Sequence, residues 1–527
     1  MRASIVILLM ISLLCSGCGG KEEEKSGASI QSSDHPSKKI MVIMVDSMTS
    51  DLINLGIEEG RTPAIAFLKE HGKVFDDFIS PFPSMSVVIE SSLITGVGPE
   101  EHHVPGLIWF NKDENRLVDY GSTIPRTFKL GTKQILEDGL KHLNNTHLNQ
   151  ELPTIYDEAK NKGLTTGSVN MLLYKGPIQH TLSIPPLVKH AIHTPSSITT
   201  KGPDLLAFGQ LAKPDAIKNK NLPDHMYEQY GINDQYSTEV IQTLIQSGQQ
   251  PDFLMTFLPD FDKEAHIHGP HDLEGFAKAD YHLQTILNSY PSWEEAIDDT
   301  IFILLGDHSQ VALKDKGEHT AIELEALLEP YSIANLLDEP TDGDLILANN
   351  HRMAYIHLAT KNLTKQDIID LLYDERIDQL AWADGEEIIV KQAESDAWLS
   401  YKKNGDLRDQ YNQTWDITGD LSVLDLSIDK NSNSLDYGKY PDALEQLYSA
   451  LKSQAGSLII TAKPGYTLKT EGAPVHYDGG EHGGLHEDDT KAALIVTGTD
   501  IYPDRHRIRD LKHYFLQLLN QKESLVE

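Results

Sequence analysis

Three short segments concentrate side chains that bind divalent cations. In Pro259-Asp260-Phe261-Asp262-Lys263-Glu264-Ala265-His266-Ile267-His268-Gly269-Pro270, Asp262 and His266 stand four residues apart. One helical turn or a tight loop can aim both at one ion, and Gly269-Pro270 ends the segment. Gly306-Asp307-His308-Ser309 offers two adjacent ligands. Gly479-Gly480-Glu481-His482-Gly483-Gly484-Leu485-His486 surrounds its imidazoles with glycines, which let backbone and ring approach a crowded centre. Carboxylate and imidazole donors without thiolate favour zinc over manganese or iron.

A hydroxyl nucleophile has two candidates in Pro81-Phe82-Pro83-Ser84-Met85-Ser86, a loop feeding a short helix from Val87 to Ile94 that closes at Thr95-Gly96. A hydroxyl at a helix N-terminus feels the positive end of the dipole, which favours its alkoxide and attracts a phosphate. Either serine read alone is equally an N-cap.

The elements that must carry these groups are strands alternating with helices. Ile40 to Val45 is a continuous apolar run ending at Asp46, the pattern of a strand buried on both faces of a parallel sheet. Phe253 to Leu258 stops just before Asp260 and Asp262, and Thr300 to Leu305 stops at Gly306-Asp307-His308. Leu458 to Thr461 and Ala492 to Val496 repeat the pattern. Helical stretches lie between, at Thr62 to His71, Pro153 to Lys162 and Ser237 to Gln246. The expected fold is a three-layer α/β/α sandwich around a mostly parallel sheet, whose ligand crevice lies at the C-terminal ends of the strands. Asp46, Asp262 and Asp307 would then converge. From about Asn350 to Gln454 the texture changes to strand, helix and strand of a smaller α+β lobe. The expected division is a catalytic core at 40–345, an inserted lobe at 346–455 and a return to the core at 456–527.

The first residues read as export. Arg2 precedes an apolar run from Ile5 to Leu14, about ten residues where a membrane-spanning helix needs about 20. Small residues Ser16 and Gly17 stand directly before Cys18, the layout of a bacterial lipobox. The expectation is a signal peptide at 1–17, lipidation of Cys18, a charged Ser-rich tether at 18–39, and an extracytoplasmic protein anchored by lipid to a bacterial membrane. Cys15 and Cys18 are the chain's only cysteines, so the mature protein forms no internal disulfide. Lys and Arg total 45 against 79 Asp and Glu, a net charge of −34, which argues against a stable nucleic-acid partner.

Together the motifs resemble the alkaline phosphatase superfamily, nearest its type I phosphodiesterase/nucleotide pyrophosphatase branch, from about Ile40 to Leu519. The strand ending at Asp46 with Thr62-Pro63-Ala64-Ile65, the spacing from Ser86 to Thr95-Gly96, Asp262-x-x-x-His266-x-x-Gly269-Pro270, Asp307-His308 and His482-Gly483 match that branch in order. The resemblance implies two divalent metal ions, one on Asp262, His266 and His482, the other on Asp46, Asp307, His308 and the Ser86 oxygen. It implies hydrolysis of a small phosphoester substrate through a phosphoserine on Ser86. Ser86 stands where the branch usually has Thr, Ser84 lies two residues away, and Asn111 is displaced from the branch's phosphate-binding Asn. Trp109 and Phe110 suit either stacking on an aromatic leaving group or the core. His268 and His486 suit either a supporting role beside the ligands or the surface, and His102 and His103 read as surface residues.

A phosphomonoesterase shares the metal core and is the alternative, followed by an envelope phosphotransferase. A sulfatase is disfavoured, because neither serine is followed by that branch's Pro and Arg. A binding lipoprotein without catalysis is disfavoured too, since all six ligand positions outside the nucleophile hold competent residues.

Overall fold

The structure is a computed structural model that describes residues 38–121, 132–185, 189, 196–314, 317–334, 343–477 and 479–524. The leader, Cys18 and the tether up to residue 37 lie outside the described residues. Lys39, expected in the tether, already opens the first strand, Lys39–Val45.

Among the described residues, seven strands form the central sheet. Their order is Gly72–Ile79, Lys491–Thr497, Thr300–Gly306, Lys39–Val45, Phe253–Leu258, Thr166–Val169 and Leu205–Ala207. The last five pair in parallel. Alternation along Lys39–Val45 shows why its apolar run is unbroken. Ile40, Val42 and Met44 face one core while Met41, Ile43 and Val45 face the other. Helices Ser50–Glu58, Pro63–Glu70, Asp234–Gln246 and Leu273–Leu287 cover the second face. Ser86–Thr95, Ile155–Asn161 and Leu511–Ser524 cover the first, completing the three-layer sandwich. The helix starts follow local chemistry: Pro63 occupies the first turn, Thr154 forms a capping box with Asp157, and Asn233 caps through the Tyr236 N–H.

Two expectations about strands are corrected. Ala492 to Val496 lies in the central sheet but runs antiparallel to both its neighbours. Leu458–Ala462 does not return to the central sheet at all. It lies inside a second, mostly antiparallel sheet of nine described strands, between Met353–Leu358 and Ile377–Asp384 and antiparallel to both. The second sheet therefore reaches past the expected boundary at 455, and the chain re-enters the central sheet only at Lys491. An apolar run reports burial on both faces; strand direction and sheet membership depend on partners far away along the chain. Helix Ala443–Ser453 packs Leu444, Leu447 and Leu451 onto one face of this second sheet. Among the described residues no helix is long and apolar enough to cross a membrane.

His357, on Met353–Leu358, is buried against Phe110. Burial pushes its imidazole down from 6.5 to about 3. The unfolded chain takes up this proton near 6.5 and the folded chain only near 3, so stability falls as pH drops through that window. His357→Gln should remove about 2 kcal/mol of the loss between pH 7 and pH 5. Urea unfolding midpoints at the two pH values would measure it, and a slope equal to the parent's would refute the assignment.

Candidate active site

The central strand Lys39–Val45 lies between Thr300–Gly306 and Phe253–Leu258, all three parallel. The residues following them, Asp46, Asp307-His308 and the helix Asp260–His268, therefore meet at one edge of the sheet. Asp46, Asp307 and His308 are all buried there. Asp307 Oδ1 accepts from the Ser47 and His308 N–H groups at 3.0 and 2.9 Å. His308 Nε2 lies 3.6 Å from Asp46 Oδ1 and 3.5 Å from Asp307 Oδ2, and these three buried atoms have no hydrogen-bond partner. Burial, then the neighbouring Asp307 and Asp262 carboxylates, pushes the Asp46 carboxyl well above its usual range. Orphaned donors facing one another at this spacing, with unrelieved negative charge, fit a divalent cation.

Asp262 and His266 lie on one face of the helix, as four-residue spacing requires, with Asp262 Oδ2 3.3 Å from His266 Nε2. His266 Nδ1 is 2.7 Å from the Gly480 carbonyl. His482 Nδ1 is 2.7 Å from the Ser84 carbonyl. A carbonyl only accepts, so each Nδ1 carries a proton, which leaves Nε2 as the nitrogen on each ring that can meet a ligand. Burial favours the neutral Asp262 carboxyl, but the imidazoles of His266, His482 and His308 outweigh it and hold the group well below its usual range. Asp262, His308 and His482 place ligand atoms within 4.8 Å of one another, as do Asp46, Asp307 and His308. The six carboxylate and imidazole residues expected as ligands thus lie close together, but His266 groups with His476 and Glu481 while His308 stands with Asp262 and His482.

The two serines separate by burial. Ser84 is fully buried, and its Oγ accepts from the Gly483 N–H at 2.9 Å. Ser86 is the first residue of helix Ser86–Thr95 and half-buried, whereas Val87 to Thr95 are all buried. Gly96 ends the helix with a left-handed φ of 79°. Ser84 is therefore a bolt between the loop at 81–86 and the His482 loop, while Ser86 stands at the helix N-terminus. The glycines around His482 are sterically required: a Cβ on Gly479 would lie 1.9 Å from the His266 carbonyl oxygen, and one on Gly483 would lie 2.3 Å from that of Asn350.

Other residues singled out in the sequence fall elsewhere. Trp109 and Phe110 are buried in a hairpin, the Trp109 indole donating to Tyr120 Oη at 3.2 Å. Asn111 caps the turn of that hairpin, its Oδ1 accepting from the Asp113 and Glu114 N–H groups. His268 is exposed, and His486 caps a short helix through the Asp488 N–H. His102, expected at the surface, is fully buried with Nε2 3.1 Å from Ser92 Oγ; the adjacent His103 is exposed.

Several residues at the site escaped the sequence reading. Ser47 Oγ donates to Asp262 Oδ1 at 2.8 Å, and Gln310 Nε2 contacts the same oxygen at 2.5 Å. Both follow a recognised ligand by one or two positions, a signal that was available. Arg352 donates its backbone N–H to the His482 carbonyl at 3.1 Å, and its side chain pairs with Asp489 at 2.9 Å. It lies in the turn after Leu345–Asn350 of the second sheet, where no local pattern marks it.

The sequence profile of the family described as type I phosphodiesterase/nucleotide pyrophosphatase matches residues 40–485. Murine ectonucleotide pyrophosphatase/phosphodiesterase 5 superposes with a TM-score of 0.52 at 12% identity, over 92% of this chain and 95% of that one. An inactive variant of that protein, in complex with AMP, superposes at 0.51 and 12% over the same shares. Phosphonoacetate hydrolase from Sinorhizobium meliloti 1021, in complex with phosphonoformate, superposes at 0.51 and 14%, over 94% of this chain and 100% of that one. These similarities show a shared fold. No curated protein matches the sequence.

Proposed function

Because the chain belongs to the type I phosphodiesterase/nucleotide pyrophosphatase family, whose members are phosphoester hydrolases, we propose that it cleaves small phosphodiester or pyrophosphate substrates through a phosphoserine on Ser86. The observation that carries this reading is the placement of Ser86. It begins a helix whose other residues are buried, on the loop that holds His482 through Ser84. The first N–H groups of a helix have no helical acceptor, so they stand ready to receive a phosphoryl oxygen.

Asp262, His266 and His482 would hold one divalent ion, zinc by donor chemistry, and Asp46, Asp307 and His308 with the Ser86 oxygen the other. Such a pair supplies Lewis-acid stabilisation of charge on the attacking and leaving oxygens. The chain's own residues do the positioning. Gly480 O and Ser84 O fix the tautomers of His266 and His482. Ser47 and Gln310 hold the Asp262 carboxylate from behind. Ser86 Oγ bonds to phosphorus as the P–O bond to the departing alcohol or phosphate breaks, and water then attacks the phosphoserine from the vacated side, breaking the Oγ–P bond and releasing the phosphate product with Ser86 restored. The AMP complex of the murine relative supports a nucleotide-like substrate.

The leader supports placing this enzyme outside the cytoplasm, anchored through lipidated Cys18. The reading is tested by loading the full-length protein with zinc and comparing an aryl phosphodiester with the matching monoester. A higher kcat/KM for the diester is expected. Monoester preference would transfer the enzyme to the phosphatase alternative, and failure to cleave either would sink the proposal.

A further inference from the structure

Two imidazoles outside the two expected ligand sets stand against His266 and His482. His351 lies at the turn joining Leu345–Asn350 to Met353–Leu358, with a left-handed φ of 58°. His476 lies on the loop leading into the His482 segment. Both are held by Glu481, which is fully buried. Glu481 Oε2 lies 2.5 Å from His351 Nδ1. Its Oε1 lies 3.1 Å from His476 Nδ1 and accepts the His476 backbone N–H at 2.7 Å. A buried carboxylate with both oxygens committed to imidazoles is costly unless those bonds are made, so the arrangement specifies the ring positions.

The held rings wall in the two histidines expected at the first cation. His266 lies 4.0 Å from His476 and 5.6 Å from His351, centroid to centroid. His482 stacks on His308 at 3.9 Å and lies 5.0 Å from His351, with interplanar angles of 12° and 23°. With Nδ1 of His266 and His482 tied to carbonyls, only ring tilt remains free, and the Glu481-held rings restrict it.

We propose that Glu481 is a positioning residue for the first cation site. Through His351 and His476 it holds the rings of His266 and His482 beside each other, 5.2 Å apart centroid to centroid, where with Asp262 they would take one divalent ion. The inference rests on the reading of those three residues as ligands. A separate ion on His266, His476 and Glu481 is the competing assignment, since their ligand atoms also lie within 4.8 Å of one another. Against it, Glu481 and His476 are already at hydrogen-bond distance, and the two nitrogens of His266 face Gly480 O and Asp262.

The test measures zinc stoichiometry and affinity, by competition with a chelating dye, on full-length parent, Glu481→Ala, Glu481→Gln and His351→Ala. The visible spectrum of each cobalt(II)-substituted protein is recorded alongside. The parent is expected to bind two ions. Glu481→Ala should weaken one of them about 10- to 100-fold and alter its cobalt bands, leaving the ion on Asp46, Asp307 and His308 in place. Glu481→Gln keeps an acceptor oxygen for His476 and should recover part of the affinity. His351→Ala should weaken the same ion by a smaller factor, which keeps the proposal testable if Glu481→Ala does not fold. Parent affinity and an unchanged cobalt spectrum in both alanine variants would overturn it. So would three ions in the parent with the third lost in Glu481→Ala. A folded parent that binds no ion would overturn the ligand reading beneath it, a result distinguishable from the others.

Discussion

Ser86→Ala should lower kcat on an aryl phosphodiester by at least about 10³-fold and abolish the acid-stable phosphoenzyme detected by intact-protein mass after quenching. The size follows from removing the group proposed to form the covalent bond, since neighbouring residues can only position water in its place. Ser84→Ala should behave differently. It deletes the buried acceptor of the Gly483 N–H and loosens the loop that carries His482. Its cost belongs to stability and metal affinity, about 1–3 kcal/mol for an unsatisfied buried donor, with phosphoenzyme still formed. Ser86→Thr keeps a hydroxyl at the helix N-terminus and should retain measurable turnover. Near-parental turnover by Ser86→Ala, or loss of the phosphoenzyme only in Ser84→Ala, would move the nucleophile to the other serine.

Arg352→Met should destabilise the protein by about 3–5 kcal/mol, read as a lower urea midpoint at unchanged m. Arg352 and Asp489 are both fully buried, their ion pair is 2.9 Å long, and the guanidinium also donates to the Ala462 carbonyl at 3.0 Å. Burial pushes the Asp489 carboxyl up, and Arg352 is the main group opposing that shift. Losing the guanidinium strands a carboxylate whose remaining support is the Gly484 N–H at 3.0 Å. Arg352→Met with Asp489→Leu removes both charges and should recover most of the loss, because the penalty lies in the unpaired ion rather than in the missing bridge. A single variant within about 1 kcal/mol of the parent would show that the pair does not lock the turn to the ligand loop. The pair also connects two parts of the chemistry. The Asp489 carbonyl accepts the Ser309 N–H beside Asp307-His308, and Arg352 donates to the His482 carbonyl. The turn from the second sheet thus braces both segments that carry candidate ligands.

The contrast between legible and illegible parts follows from the range of the forces that place them. Asp262 and His266 share a face because helix geometry acts over four residues, and Asp307-His308 are adjacent whatever the fold. Apolar runs ending in acidic residues mark strand ends, and parallel pairing then puts Asp46, Asp262 and Asp307 on one edge. Each of these inferences needs only local spacing plus one rule of sheet topology. The sequence by itself thus determined the α/β/α layering, the segments that meet at the strand ends and the kind of chemistry their side chains support. It also marked Ser84 and Ser86 as the candidate hydroxyls, because helix start signals are local.

Tertiary structure alone decided the rest. Ser84 and Ser86 differ by burial, which depends on whether the Gly483 N–H lies opposite the hydroxyl. Leu458–Ala462 joined the second sheet because Met353–Leu358 and Ile377–Asp384 offered it two antiparallel partners, a choice its own side chains do not encode. His351, Arg352 and Glu481 are separated by up to 130 residues yet are bound to one another's segments by a carboxylate and a backbone N–H. Such contacts are set by how two sheets dock, a property of the packed whole that no spacing along the chain records.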